Sequence, residues 1–231
     1  MRALLLAAGL ALAAGPAAAC RLALALALDV SSSVDADEYA LMRNGVADAL
    51  ADAEVMEAIL APAGPVAVAV FEWSGRRQHT VVAPWTLLDR PAAILALSER
   101  IRAARRGHAE FPTALGHALG FAARLFLSAP DCDRRTIDVS GDGANNEGYE
   151  PFHAYNAFDL EDVTVNALVV GGVERPALVR YFQTLVIKGP DAFTEIAEDY
   201  ADFGRAMRRK LLREVRPPMI LGRGDTGPHP P

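Results

Sequence analysis

Three segments, far apart in this 231-residue chain, carry oxygen donors and nothing softer: Asp29-Val30-Ser31-Ser32-Ser33, Thr113 within Phe111-Pro112-Thr113-Ala114-Leu115-Gly116, and Ser140-Gly141-Asp142-Gly143. Their chemistry-bearing residues are Asp29, Ser31, Ser33, Thr113 and Asp142, two carboxylates and three hydroxyls. Hard divalent cations such as Mg²⁺ or Mn²⁺ favour oxygen-only sets, whereas zinc and copper sites draw on His and Cys. The histidines, His79, His108, His117, His153 and His229, fall into no ligand spacing of the H-E-x-x-H kind. No serine sits in a G-x-S-x-G elbow, and no P-loop or dinucleotide fingerprint follows the first strand. Taken singly, each segment has a plainer explanation. Ser31–Ser33 suits a polar turn capping a helix, Asp142-Gly143 a turn, and Thr113 a helix N-cap. Their weight comes from arriving as a set, each where a strand ends or a helix begins.

For the three segments to meet, the elements carrying them must share one edge of a sheet. Leu22–Leu28 is an unbroken apolar run, the pattern of a parallel strand buried on both faces, and it ends at Asp29. Thr136–Ser140 reads as a second such strand, ending just before Asp142. Val66–Trp73, Gln78–Leu87, Val163–Val170 and Ala192–Ala197 are the other strands, with Ser74-Gly75-Arg76-Arg77 as the turn of a hairpin that makes one antiparallel edge. Helices are expected from Asp35 to Leu50 (Asp35 and Glu38 forming a capping box), and over Val55–Leu60, Pro91–Arg106, Thr113–Leu127, Phe152–Phe158, Arg175–Val186 and Tyr200–Val215. Gly116 and Gly120 share a helix face and are expected to let that helix approach the sheet. Strand–helix alternation implies a doubly wound α/β fold: a mostly parallel sheet with one antiparallel edge strand and helices on both faces. Such folds bind ligands at the carboxyl ends of their strands.

Residues 1–19 read as a signal peptide: Arg2, an apolar run from Ala3 to Ala14 too short to span a bilayer, and Ala17-Ala18-Ala19 before Cys20. Residues 20–216 then form the folded domain, and 217–231 a disordered tail rich in Pro and Gly. This points to a periplasmic or secreted protein. Two cysteines are present. Cys20 lies nine residues before Asp29 and Cys132 ten before Asp142, so adjacent parallel strands would bring both sulfurs to the same end of the sheet. An oxidising compartment favours that disulfide over the alternative, a lipid anchor on Cys20, for which Ala17 stands where Leu is usual. A net charge of −6 argues against nucleic acid or an anionic membrane as the main partner. Lysine occurs only as Lys188 and Lys210. Arg223-Gly224-Asp225 in the tail is a three-residue match to an adhesive tripeptide and is read as chance. Asn145-Asn146-Glu147 either borders the ligand surface or is a solvated loop.

The set Asp29-x-Ser31-x-Ser33, then a loop threonine opening a helix, then an Asp in Ser-Gly-Asp-Gly resembles the metal-ion-dependent adhesion site of von Willebrand factor type A domains. The order of the segments and their spacing of roughly eighty and thirty residues are similar too. The likeness runs over about residues 20–216 and is strongest to small secreted bacterial members. It implies direct coordination of the metal by Ser31 and Ser33, by Thr113 directly or through water, and a largely water-mediated or hydrogen-bonding role for Asp29 and Asp142. It further implies an open coordination position that a partner protein's Asp or Glu fills. Acidic residues after the serine motif serve a second metal in some members, but the spacing of Asp35, Asp37 and Glu38 departs from theirs, and helix capping is the expected role. An alternative is a Mg²⁺-dependent phosphoester hydrolase with Asp29 as nucleophile. Haloacid-dehalogenase-like phosphatases need a second Asp two residues on, where this chain has Ser31. A lipid-anchored envelope structural protein is a third reading. The favoured expectation is a non-catalytic, metal-dependent protein-binding module.

Overall fold

Alternating apolar residues in the first strand set the architecture. In a computed structural model that describes residues 20–62 and 64–216, β1 (Leu22–Asp29) lies at the centre of a six-stranded sheet. The expected signal segment and tail fall outside the described residues. Leu22, Leu24, Leu26 and Leu28 point to one face and Ala23, Ala25 and Ala27 to the other, as the two-residue period of a strand requires. The remaining strands are β2 (Val66–Trp73), β3 (His79–Leu88), β4 (Arg135–Gly141), β5 (Val163–Val170) and β6 (Thr194–Ala197), in the order β3-β2-β1-β4-β5-β6. Only β2 and β3 pair antiparallel; β1–β2, β1–β4, β4–β5 and β5–β6 are parallel. The expected fold class is therefore the observed one.

The leucine face is covered by α1 (Ala36–Ala51), α2 (Ala53–Ile59), α3 (Pro91–Arg102) and α7 (Phe203–Val215), through Met42, Val46, Ile94, Met207 and Leu211. The alanine face receives α4 (Leu115–Phe126) and α5 (Pro151–Ala157), with Leu119, Phe126 and Phe182 in its core. α1 and α7 meet at glycines: a Cβ on Gly45 would lie 3.0 Å from the backbone of Gly204. Asp35 caps α1 as expected, accepting from the backbone of Asp37 and Glu38 while the Glu38 carboxylate accepts from Asp35 N–H.

Several boundaries moved. α3 stops at Arg102, because Arg106 is drawn away to donate to the carbonyls of Val30 and Ser31. The 175–186 helix divides into α6 (Pro176–Tyr181) and a π-turn, Phe182–Val186, closed by Ile187 N–H on Phe182 C=O. Gly116 and Gly120 do not face the sheet. A Cβ at Gly116 would lie 2.0 Å from the Tyr149 carbonyl oxygen, and one at Gly120 2.7 Å from Phe158 and from the Tyr149 hydroxyl. They admit the segment after β4 instead, while Leu115, Ala118, Leu119 and Ala122 face the core.

Two devices clamp the end of the sheet opposite the oxygen donors. Cys20 and Cys132 form a disulfide across the starts of β1 and β4, closing 112 residues. The Cys20 sulfur is thereby unavailable for a lipid thioether. Further along β4, Asp138 faces α7, where Lys210, 0% exposed, sits 2.8 Å from Asp138 Oδ1 and 2.6 Å from Glu214 Oε1. Asn166 of β5 donates to the same Glu214 oxygen at 2.7 Å. Burial, then the Glu214 charge, raises the Asp138 carboxyl to about 7 even with Lys210 beside it.

Candidate metal site

The carboxyl end of β1 places Asp29 beside the end of β4, and the chain then turns out of the sheet. Asp29 is 1% exposed, and its Oδ1 accepts the Ser31 backbone N–H at 2.8 Å, which fixes the turn that carries the serines. Ser31 Oγ lies 3.2 Å from Ser33 Oγ and accepts from Thr113 Oγ1 at 3.2 Å; Ser33 Oγ donates to Asp142 Oδ1 at 2.8 Å. All five residues singled out in the sequence are thus brought into one linked group. Ser33 is exposed while Ser31, Thr113 and Asp142 are buried, so the group opens to solvent on one side. Gly141 keeps the space clear: a Cβ there would lie 3.2 Å from Asp29 Oδ2.

The plainer roles weighed from sequence do not hold for Thr113. The N-cap of α4 is Ala114, and no side chain caps that helix. Thr113 is instead held from three directions. Its N–H donates to Asn146 Oδ1 at 2.9 Å, its C=O accepts from Asn146 and Glu147 N–H, and Ala114 N–H binds Ser74 C=O. Asn145 Oδ1 accepts from Gly116 N–H. Asn145 and Asn146 are therefore braces between the Thr113 and Asp142 segments, and Gly148, at φ +75°, lets the chain turn back past His117.

Other supports were illegible in the sequence. Arg106 holds the serine turn through the Val30 and Ser31 carbonyls. Glu72, 1% exposed at the end of β2, accepts from the Tyr39 hydroxyl and from Gly107 N–H at 2.6 and 2.8 Å, anchoring the loop that leads to Thr113. Arg175 donates to the Asp142 carbonyl at 2.7 Å and the Val170 carbonyl at 2.8 Å. Each arginine reaches backbone oxygens from a distant element, which no local pattern signals.

The electrostatics call for a cation. Asp29 Oδ2 is buried without a hydrogen-bond partner. Burial is the largest cause pushing the Asp29 carboxyl up to about 7, and the nearby Asp142 carboxylate adds to it. Burial first, and then the same carboxylates, raise the Tyr200 phenol, whose hydroxyl is also buried and unpartnered. The oxygen–oxygen separations of 2.8–3.2 Å in the group match the edge of about 2.9 Å that follows from metal–oxygen bonds of about 2.0–2.1 Å in an octahedron. The residues present therefore fit a small hard dication. Among the described residues no group of three or more His, Cys, Asp or Glu gathers; hydroxyls distinguish this set.

Sheet order, helices on both faces and the loops carrying the oxygen group define a von Willebrand factor type A-like fold. Solved structures share it: proximal thread matrix protein 1 from the mussel byssus (16% identity, TM-score 0.61, 84% of this chain and 48% of that one), a von Willebrand factor type A protein from Catenulispora acidiphila (17%, 0.56, 85% and 43%) and the pilus adhesin SpaC from Lactobacillus rhamnosus GG (12%, 0.60, 85% and 30%). The mussel protein is also known with a zinc-occupied MIDAS motif. At these identities the likeness is one of fold, and the chain spans about half or less of the length of these three structures. No curated protein matches the sequence. Residues 19–219 match the family described as "Protein of unknown function (DUF1194)", and the chain belongs to that family.

Proposed function

We propose that this protein is a metal-dependent binding module whose Asp29, Ser31, Ser33, Thr113 and Asp142 hold Mg²⁺ or Mn²⁺ and whose ligand is the Asp or Glu side chain of a partner protein. The observation that carries this reading is the linked hydroxyl–carboxylate group with the unpartnered, buried Asp29 Oδ2 beneath it. When bound, the ion supplies an electrophilic centre for an incoming carboxylate, since neutral hydroxyls leave much of its charge uncompensated. Ser33 marks the open side. Asp29, at 1% exposure, lies beneath the serines. That suits charge compensation better than nucleophilic attack, and so supports binding over phosphoester hydrolysis.

The disulfide supports an exported protein, periplasmic or secreted. Among the described residues no helix is long and apolar enough to cross a membrane. Calorimetric titration of Mg²⁺ and Mn²⁺ into the metal-stripped protein, beside Ser31→Ala and Asp29→Ala, tests the site. Saturable one-site binding lost in both variants is expected. Wild-type protein that binds neither ion, or a phosphoesterase activity abolished by Asp29→Asn, overturns the reading.

A further inference from the structure

Two hydroxyls behind the metal group are buried without hydrogen-bond partners: the Tyr200 phenol, on a residue 6% exposed, and Ser140 Oγ, on a residue 1% exposed. Both stand on the leucine face of the sheet. Ser140 pairs in register with Leu28 and repeats the direction of Asp138, which meets Lys210 of α7. Tyr200, in the connection from β6 to α7, packs in the same core layer as Leu28 and Val30. Ser140 precedes Asp142 by two residues at the end of β4.

Tertiary contacts bring Tyr200 to this end of the sheet. Gly171 N–H binds Ala197 C=O at 3.0 Å, which sets the end of β6 beside the loop whose Arg175 holds the Asp142 carbonyl. The turn that follows is fixed by Asp202, whose Oδ2 accepts from Glu198 N–H at 3.1 Å and whose N–H donates to Asp199 Oδ1 at 2.8 Å. The Tyr200 ring stacks on Phe203 at 6.4 Å between centroids, and Phe203 abuts α1, where a Cβ on Gly45 would lie 3.1 Å from its ring. After burial, the strongest influence on the phenol is the Asp142 charge, ahead of Asp29 and Glu38. A buried phenol needs an acceptor, and no direct bond supplies one. A water that accepts from Tyr200 and donates to Ser140 Oγ and to the Asp142 carboxylate makes the three bonds usual for buried water.

We propose that Tyr200 and Ser140 are positioning residues of the metal group, which hold through one shared water the carboxylate of Asp142, the acceptor of Ser33 Oγ. This role rests on the proposed metal site. Mg²⁺ and Mn²⁺ are titrated calorimetrically into the metal-stripped protein as wild type, Tyr200→Phe, Ser140→Ala and the double variant. Each single variant should bind about tenfold more weakly, and the double variant no more weakly than the singles, because both changes remove the same water. Melting in chelator is the structural control: a variant that only loosens the fold melts lower while its metal affinity stays unchanged. A readout without metal is the ring Cζ resonance of Tyr200 in isotope-labelled protein, identified by its absence from Tyr200→Phe; in chelator it should move in Ser140→Ala. Undiminished affinity in Tyr200→Phe, losses that multiply in the double variant, or a Tyr200 resonance indifferent to Ser140→Ala overturns the proposal while the metal site stands. Wild type that binds neither ion overturns the site itself, and this role falls with it.

Discussion

Replacing Lys210 by Met removes the only ammonium from a cluster that holds two carboxylates in the core. Lys210 is 0% exposed, and its partners Asp138 and Glu214 have side chains 0% and 2% exposed. Methionine fills much the same volume, so the change is chiefly electrostatic. Removing one partner of a buried pair costs about 3–5 kcal/mol, and in a chain of this length each kcal/mol shifts the midpoint by about 2–4 °C. The variant should melt about 6–20 °C lower at alkaline pH. The pH dependence follows from the raised Asp138 carboxyl, which moves from 3.8 to about 7 on folding. Between those values the native state holds a proton that the unfolded chain has released, so this group's contribution is full below the lower value and lost as pH rises through about 7. Without Lys210 the carboxyl rises further and the loss extends to higher pH. Well below 3.8 the Asp138 carboxyl is protonated in either state, and its share of the penalty shrinks to lost hydrogen bonds, about 1–2 kcal/mol. Urea unfolding of wild type and Lys210→Met at acid, neutral and alkaline pH measures this. A difference under about 1 kcal/mol at alkaline pH, or one that is the same at all pH values, refutes the reasoning.

The metal reading carries its own pH dependence. Because the Asp29 carboxyl is raised to about 7, protons compete with the cation, and affinity should fall by up to about tenfold per pH unit below that value; a flat calorimetric profile between about pH 5.5 and 7.5 contradicts it. Asn146→Ala removes the acceptor that fixes Thr113 N–H; metal affinity should drop about tenfold or more while stability falls by only about 1 kcal/mol, and an unchanged affinity would make the brace dispensable. Replacing both Cys20 and Cys132 by Ser opens a loop closed over 112 residues; on the entropy model this costs up to about 4–5 kcal/mol, read as a lower thermal midpoint with metal binding at the far edge unchanged.

How much was legible from the chain depends on whether the signal was local. The run of alternating Leu and Ala ending at Asp29 announces a central strand and two buried faces without any tertiary information. Matched distances from Cys20 to Asp29 and from Cys132 to Asp142 anticipated the disulfide, because parallel neighbours rise equally per residue. Helix limits were less legible. Arg106 and Thr113 carry acceptable helical or capping propensity, but a backbone carbonyl in one case and a neighbouring hydroxyl in the other outbid the local preference. Gly116 and Gly120 were assigned to the wrong neighbour, since a missing Cβ says that something approaches closely and not what it is.

The sequence by itself determined the fold class, the oxygen-only character of the candidate site and the edge of the sheet where it lies, because hydrophobic period and donor type are properties of residues in order. Only the tertiary structure decided that the five donors touch, that Asp29 Oδ2 is left buried and unpartnered, and that Asn146, Arg106 and Arg175 hold the loops in place. It alone also placed Lys210 between two buried carboxylates. Those are relations between groups distant along the chain, fixed by hydrogen-bond direction and desolvation, and neither quantity is written in any local pattern.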